Sequence, residues 1–187
     1  MTGVQTCALP ILNLEAWVKT TGGRGLHVVV PIAAVRDWSE CLEFARGVAE
    51  VFVQRDAGRY TTDFRKAGRA SKILVDYLRN NRTNTSICAF SVRARQGAPV
   101  SMPLDWNDLS PSTTPDRFTM QTTAAYLARH RADPWHRYWT ARQRLTAAAF
   151  AALNALRSSS GGAIDDDDAP AARASRSNAG GRRLHSR

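Results

Sequence analysis

Thirty residues at one end of this chain have almost nothing to bury. Residues 158–187 are built chiefly of Ser, Gly, Ala, Asp and Arg, and Ile164 and Leu184 are their only large aliphatic side chains. A segment this poor in apolar surface cannot offset the entropy of ordering it, so it is predicted to stay disordered, with the acidic run 165–168 as solvated charge. At the other end, residues 1–11 (MTGVQTCALPI) carry no charge. They lack the basic region and sustained apolar run of a signal peptide. They resemble the conceptual translation of a sequencing-library adapter, and are set aside together with Cys7. Any fold must come from the 146 residues of 12–157, which is one domain of ordinary size and not two.

Within that stretch no apolar run approaches the ~20 residues that a membrane-spanning helix needs. Cys7, Cys41 and Cys88 are too widely spaced for a Cys-x-x-Cys metal site and too few for a disulfide framework, so a reducing, cytoplasmic compartment is expected. The charge is more informative. Twenty-six Lys and Arg against sixteen Asp and Glu give +10; the tail holds five Arg and four Asp, which leaves 21 against 12, or +9, in residues 12–157. Of this, residues 65–95 supply +7: Arg65, Lys66, Arg69, Lys72, Arg79, Arg82, Arg93 and Arg95 against the single acid Asp76. Such a field favours a polyanion, and nucleic acid is the first partner it suggests.

Alternating and β-branched patterns predict strands over 16–19, 26–32, 73–78 and 86–92. Gly22-Gly23-Arg24-Gly25 between the first two reads as a hairpin turn. Asp37 and Glu40 have capping-box spacing ahead of Leu42, Ala45, Val48, Ala49 and Phe52, which predicts an amphipathic helix over 39–54 packed on the sheet. Further helices are expected over 120–131, stopped by Pro134, and over 140–156. Strands, helix, strands and then helices in this order imply α+β architecture with a mostly antiparallel sheet. On the residues alone, Asp76 is either an acid balancing its arginine neighbours or a ligand for a divalent cation. The glycine loop is either an ordinary turn or a phosphate cradle, and His27 either a core histidine or a ligand-binding one.

Three segments together are more specific. KTTGGRGLHVVVPI (19–32), KILVDYLRNNRTNTSICAFSVRARQGAPVSMPLDW (72–106) and DPWHRYWTARQRL (133–145) resemble the polymerase domain of bacterial DNA ligase D, a member of the archaeo-eukaryotic primase superfamily that acts in non-homologous end joining. The likeness spans Leu12 to Leu145. It implies a primase-polymerase fold and a template-directed nucleotidyltransferase that extends and fills DNA ends. By resemblance Thr21, Arg24 and His27 touch the triphosphate of an incoming nucleotide, and so does Arg93. Asp76 matches a catalytic, metal-binding carboxylate on a central strand, for Mn2+ or Mg2+. Arg65, Lys66, Lys72, Arg79, Arg82 and Arg95 are then candidates for DNA contacts. The implied partners are DNA ends, nucleoside triphosphates, the end-binding protein Ku and nuclease and ligase domains in the same chain; no membrane is implied.

The sequence departs from the family in one respect. The family's other two metal ligands form an Asp-x-Asp motif upstream of the hairpin, and no Asp-x-Asp stands before Lys19 here. The part that recognises a 5′-phosphate is missing as well. The expectation is therefore an N-terminally incomplete domain, with apolar strand edges left open and no polymerase activity of its own. The alternative is a non-catalytic basic module that binds DNA ends.

Overall fold

A computed structural model of the chain describes residues 12–159 apart from Ala70 and Arg131. The segment 1–11 and the tail from residue 160 lie outside the described residues. Strand β1 (Trp17–Thr20) occupies the middle of a three-stranded antiparallel sheet, between β2 (Leu26–Val29) and β5 (Pro103–Leu104). All four β1 residues are buried. Alternation sends Val18 to one face, into a cluster with Val100, Met102, Leu104 and Phe118. Thr20 Oγ1 donates to the Val100 carbonyl and accepts from Met102 N, at 3.1 and 2.8 Å, which fastens the strand to the segment leading into β5. On β2 the pattern is reversed: Leu26 and Val28 are exposed and His27 is half-buried. β2 is thus a sheet edge with an apolar face open to water.

Helix α1 (Trp38–Arg55) starts where the capping box placed it. Asp37 Oδ1 accepts from Glu40 N at 2.8 Å, and Glu40 Oε2 accepts from Asp37 N at 3.0 Å. Its buried face meets helix α3 (Ala147–Ser159) and the segment before β1: Leu12, Leu14, Phe44, Val51, Leu145, Ala149 and Leu153 form the second core cluster, with Val30 and Ile32 alongside. Gly47 lets the two helices approach, since a Cβ there would stand 2.8 Å from Leu153 Cδ2. The helix α2 (Met120–Arg129) is also capped reciprocally, by Thr119 and Thr122.

Several expected boundaries move. The strand expected over 73–78 is only β4 (Ile73–Leu74), paired in parallel with β3 (Tyr60–Thr61), which the sequence did not suggest. No strand covers 86–92. Phe90 has φ +61°, a left-handed conformation that breaks strand alternation, and the chain instead doubles back over 90–101 with a lone bridge between Val92 and Val100. The last helix begins at Ala147 and not at Thr140. The residues before it are pinned by Gln143, which bridges to Ile32 and bonds Glu15 N, Glu15 O and Pro31 O through its side chain. Helix α3 runs on through Ser158 and Ser159, which the sequence placed in the tail. The tryptophan-rich motif at 133–145 is a structural clasp. Trp135, buried, donates Nε1–H to the Val18 carbonyl at 3.0 Å, and Tyr138 stacks on Trp135 while meeting the edge of Trp17.

Candidate nucleotide and nucleic-acid site

The β1–β2 hairpin and the doubled-back segment 90–101 meet at the glycine loop. Gly22 has φ +60°, and a Cβ there would lie 2.9 Å from Arg93 Cγ and 3.1 Å from the Pro99 carbonyl oxygen, so only glycine admits this approach. A Cβ on Gly23 would lie 3.6 Å from Arg95 Nη1. Arg93 and Arg95 therefore rest against the loop that carries Arg24. Among the described residues none of these three guanidinium groups has a hydrogen-bonding or ion-pair partner. The Gly22 and Gly25 amides are committed, to the Pro115 carbonyl and to Thr21 Oγ1, whereas those of Gly23 and Arg24 have no partner among the described residues. Unpaired cations beside these two amides form an arrangement that accepts a phosphate chain.

Thr21 closes the loop: its hydroxyl donates to the Gly25 carbonyl at 2.7 Å and accepts from Gly25 N at 3.3 Å. That proton is committed within the protein, whereas the resemblance assigned it to a phosphate. His27 is drawn into the protein by Lys19, whose ammonium lies 3.0 Å from Nδ1, and Ser86 Oγ lies 3.3 Å from the same nitrogen. Burial and then the Lys19 charge lower the His27 pKa to about 4, with Asp76 acting in the opposite direction and Arg79 and Arg93 reinforcing the drop.

Asp76 is not on a central strand, because β4 ends two residues earlier. Its carboxylate caps the following turn, with Oδ1 accepting from Leu78 N at 3.1 Å and Oδ2 from Arg79 Nε at 3.2 Å. Among the described residues no group of three or more His, Cys, Asp and Glu comes together that could hold a metal ion. A two-cation site needs several carboxylates converging, so the donor set does not fit one. Arg79 is further tied to the Thr85 carbonyl at 2.9 Å, and Arg65 to Asp63 at 3.2 Å. Lys66, in a 3-10 turn over Lys66–Arg69, is exposed, as are Lys72 and Arg82. Arg69 is held differently, with Nη2 on the Phe64 carbonyl at 3.0 Å.

Sequence reasoning missed Lys19. The hairpin turns on residues 21–25, one residue earlier than the glycines alone suggest, and that register sets Lys19 directly opposite His27 on neighbouring strands.

A family model described as the LigD primase-polymerase domain matches residues 4–135. The multifunctional non-homologous end joining protein LigD of Pseudomonas aeruginosa is 35% identical over 138 residues, which is 73% of this chain and 16% of that protein. The bifunctional non-homologous end joining protein LigD of Bacillus subtilis is 27% identical over 61% of this chain and 19% of its own length. Among solved structures, the polymerase domain of Mycobacterium tuberculosis ligase D in complex with DNA superposes with a TM-score of 0.60 at 26% identity, over 65% of this chain and 42% of that one. The chain thus spans less than a fifth of these relatives and less than half of that solved domain. It belongs to the LigD primase-polymerase domain family.

Proposed function

We propose that this chain is the nucleotide- and DNA-gripping part of a primase-polymerase that extends and fills DNA ends before ligation in bacterial non-homologous end joining. The observation that carries this reading is the glycine loop, which bears Arg24, with Arg93 and Arg95 against it and, among the described residues, no carboxylate paired with any of the three. Three guanidinium groups without a partner among the described residues match the charge and oxygen density of a triphosphate. The exposed Lys66, Lys72 and Arg82 extend the positive field toward a DNA backbone. Nuclease and ligase domains, Ku and a cytoplasmic setting belong to this same proposal. Template-directed transfer in such a polymerase uses Mg2+ or Mn2+. Asp76 is a lone carboxylate already engaged by Arg79, so we propose that this polypeptide binds nucleotide and DNA without extending a primer. The same lone carboxylate favours the second reading, a non-catalytic holder of DNA ends.

One set of measurements on the full chain separates these readings: calorimetric titration with ATP and with a recessed primer–template duplex, followed by primer extension in Mn2+. ATP binding is expected to weaken ~10- to 100-fold in Arg93→Ala, the loss of a hydrogen bond to a charged group, with no extension by either protein. Extension abolished by Asp76→Ala would overturn the lone-carboxylate argument. Failure to bind either ligand would sink the family-based reading for this chain.

A further inference from the structure

A buried lysine with no carboxylate beside it is a costly arrangement, and Lys19 is only 4% exposed. Its ammonium reaches the Ile87 carbonyl at 2.7 Å, Ser101 Oγ at 2.9 Å and His27 Nδ1 at 3.0 Å. Two of these directions are forced. The Ile87 oxygen can only accept, and the Ser101 hydroxyl gives its own proton to the Thr20 carbonyl at 2.8 Å, so toward Lys19 it also accepts. The third ammonium N–H is then donated to His27 Nδ1. A ring nitrogen that accepts a hydrogen bond carries no proton, and a neutral imidazole then carries its proton on Nε2. Ser86 Oγ, 3.3 Å from the same nitrogen, is then left to donate toward it. Among the described residues nothing takes a hydrogen bond from Nε2.

We propose that Lys19 is a positioning residue that holds His27 as its Nε2–H tautomer, so that the ring offers a neutral donor, and not a lone pair, to an oxygen of a bound triphosphate. This rests on the reading of the hairpin as a triphosphate site. The opposite tautomer would turn an acceptor toward phosphate oxygens, which repel it. The tautomer follows the protonation of Lys19. Burial lowers the Lys19 pKa from 10.5 to about 8, with Cys88 acting in the opposite direction and Arg93 adding to the drop. His27 in turn faces Lys19, Asp76, Arg79 and Arg93, and stays neutral above pH of about 4. When Lys19 releases one proton to solvent, its two remaining N–H groups stay on Ile87 and Ser101 and its lone pair faces Nδ1. The imidazole keeps a single proton throughout. That proton now gains by moving to Nδ1, and Nε2 becomes an acceptor.

Two-bond proton–nitrogen correlations across the histidine rings of the 15N-labelled full chain test this without any variant, His27 being assigned by its loss in His27→Gln. At pH 7, Nδ1 is expected in the unprotonated range and Nε2 in the protonated range; at pH 9.5 the pattern is expected to shift toward the reverse. In Lys19→Met the pattern is expected to be the same at both pH values. A protonated Nδ1 at pH 7, or a wild-type ring that does not change between the two, overturns the proposal. ATP affinity at the same pH values is expected to fall roughly tenfold or more on the alkaline side, as one hydrogen bond to a charged oxygen is lost. A fall that persists undiminished in His27→Gln overturns the ring as its cause. Absence of ATP binding at both pH values overturns the triphosphate reading, while the ring pattern by itself still decides whether Lys19 sets the tautomer.

Discussion

The α1–α3 pair and the basic stretch 65–101 are neighbours in one chain held together by different forces. The helices are joined by apolar burial: Phe44, Val51, Leu145, Ala149 and Leu153 are all nearly inaccessible, and Phe44 meets the edge of Phe150 at 5.0 Å. Among its described residues the basic stretch has two-residue β4 as its one strand. Its shape comes from backbone turns and single polar bonds, such as Asp76 to Leu78 N and Asn84 Nδ2 to the Leu78 carbonyl. Its long side chains mostly face water, and Ile73, Leu78, Phe90 and Val92 are exposed with them. A segment that must leave cations free cannot bury them, so it gives up the packing that stabilises the helices.

The largest effect that would break this contrast is a cavity in the helical pair. Leu153 fills the notch over Gly47, and Leu153→Ala is expected to lower stability by about 2–5 kcal/mol in urea denaturation. ATP affinity of the folded fraction should stay unchanged. If it weakens in parallel, the basic stretch depends on the helical core and the two regions are one cooperative unit.

The same contrast explains what was legible in the sequence. Asp37 and Glu40 could be read because a capping box and an apolar stripe are local signals, complete within one helix. The hairpin and its loop glycines were legible for the same reason, whereas the packing of Arg93 and Pro99 on Gly22 was not, because those residues lie more than seventy positions on. The region 86–92 misled because its alternation imitates a strand, while Phe90 at positive φ is held by a distant bond, its N–H to the Ser101 carbonyl at 2.7 Å. Thr21 has the residue type for a phosphate contact, yet its proton closes the loop on Gly25, four residues away. Gln143 looked like part of a helix because nothing local announces a side chain tied to Glu15 and Pro31, more than a hundred residues earlier.

A smaller perturbation sharpens the boundary between the regions. The N-terminus of α2 seats directly on the basic stretch, since Pro99 bridges to Thr119 and Met120 N donates to the Ala98 carbonyl at 3.0 Å. Thr119→Ala removes the cap and is expected to cost about 1 kcal/mol. Hydrogen exchange should accelerate at the amides of Ala98, Val100 and Ser101 and leave those of α1 unchanged. Equal acceleration in both would show that the cap stabilises the whole fold and not this junction.

The smallest effect concerns single cations, and it separates contacts from a diffuse field. Lys72 is exposed without an ion-pair partner among the described residues, whereas the Arg65 guanidinium is held by Asp63 at 3.2 Å. A cation that neutralises a DNA phosphate releases a counterion, so removing it should reduce the slope of log affinity against log salt by about 1. Lys72→Ala is expected to do so, measured by fluorescence anisotropy of a labelled duplex with a recessed end across a salt series. Arg65→Ala should change the slope less, because its charge is already offset by a carboxylate that stays with it. Equal changes in both variants would mean that the +7 of residues 65–95 acts as an undivided field. Unequal changes would mean that the ion pairs of this stretch already sort its cations into those that meet DNA and those that hold the chain in shape.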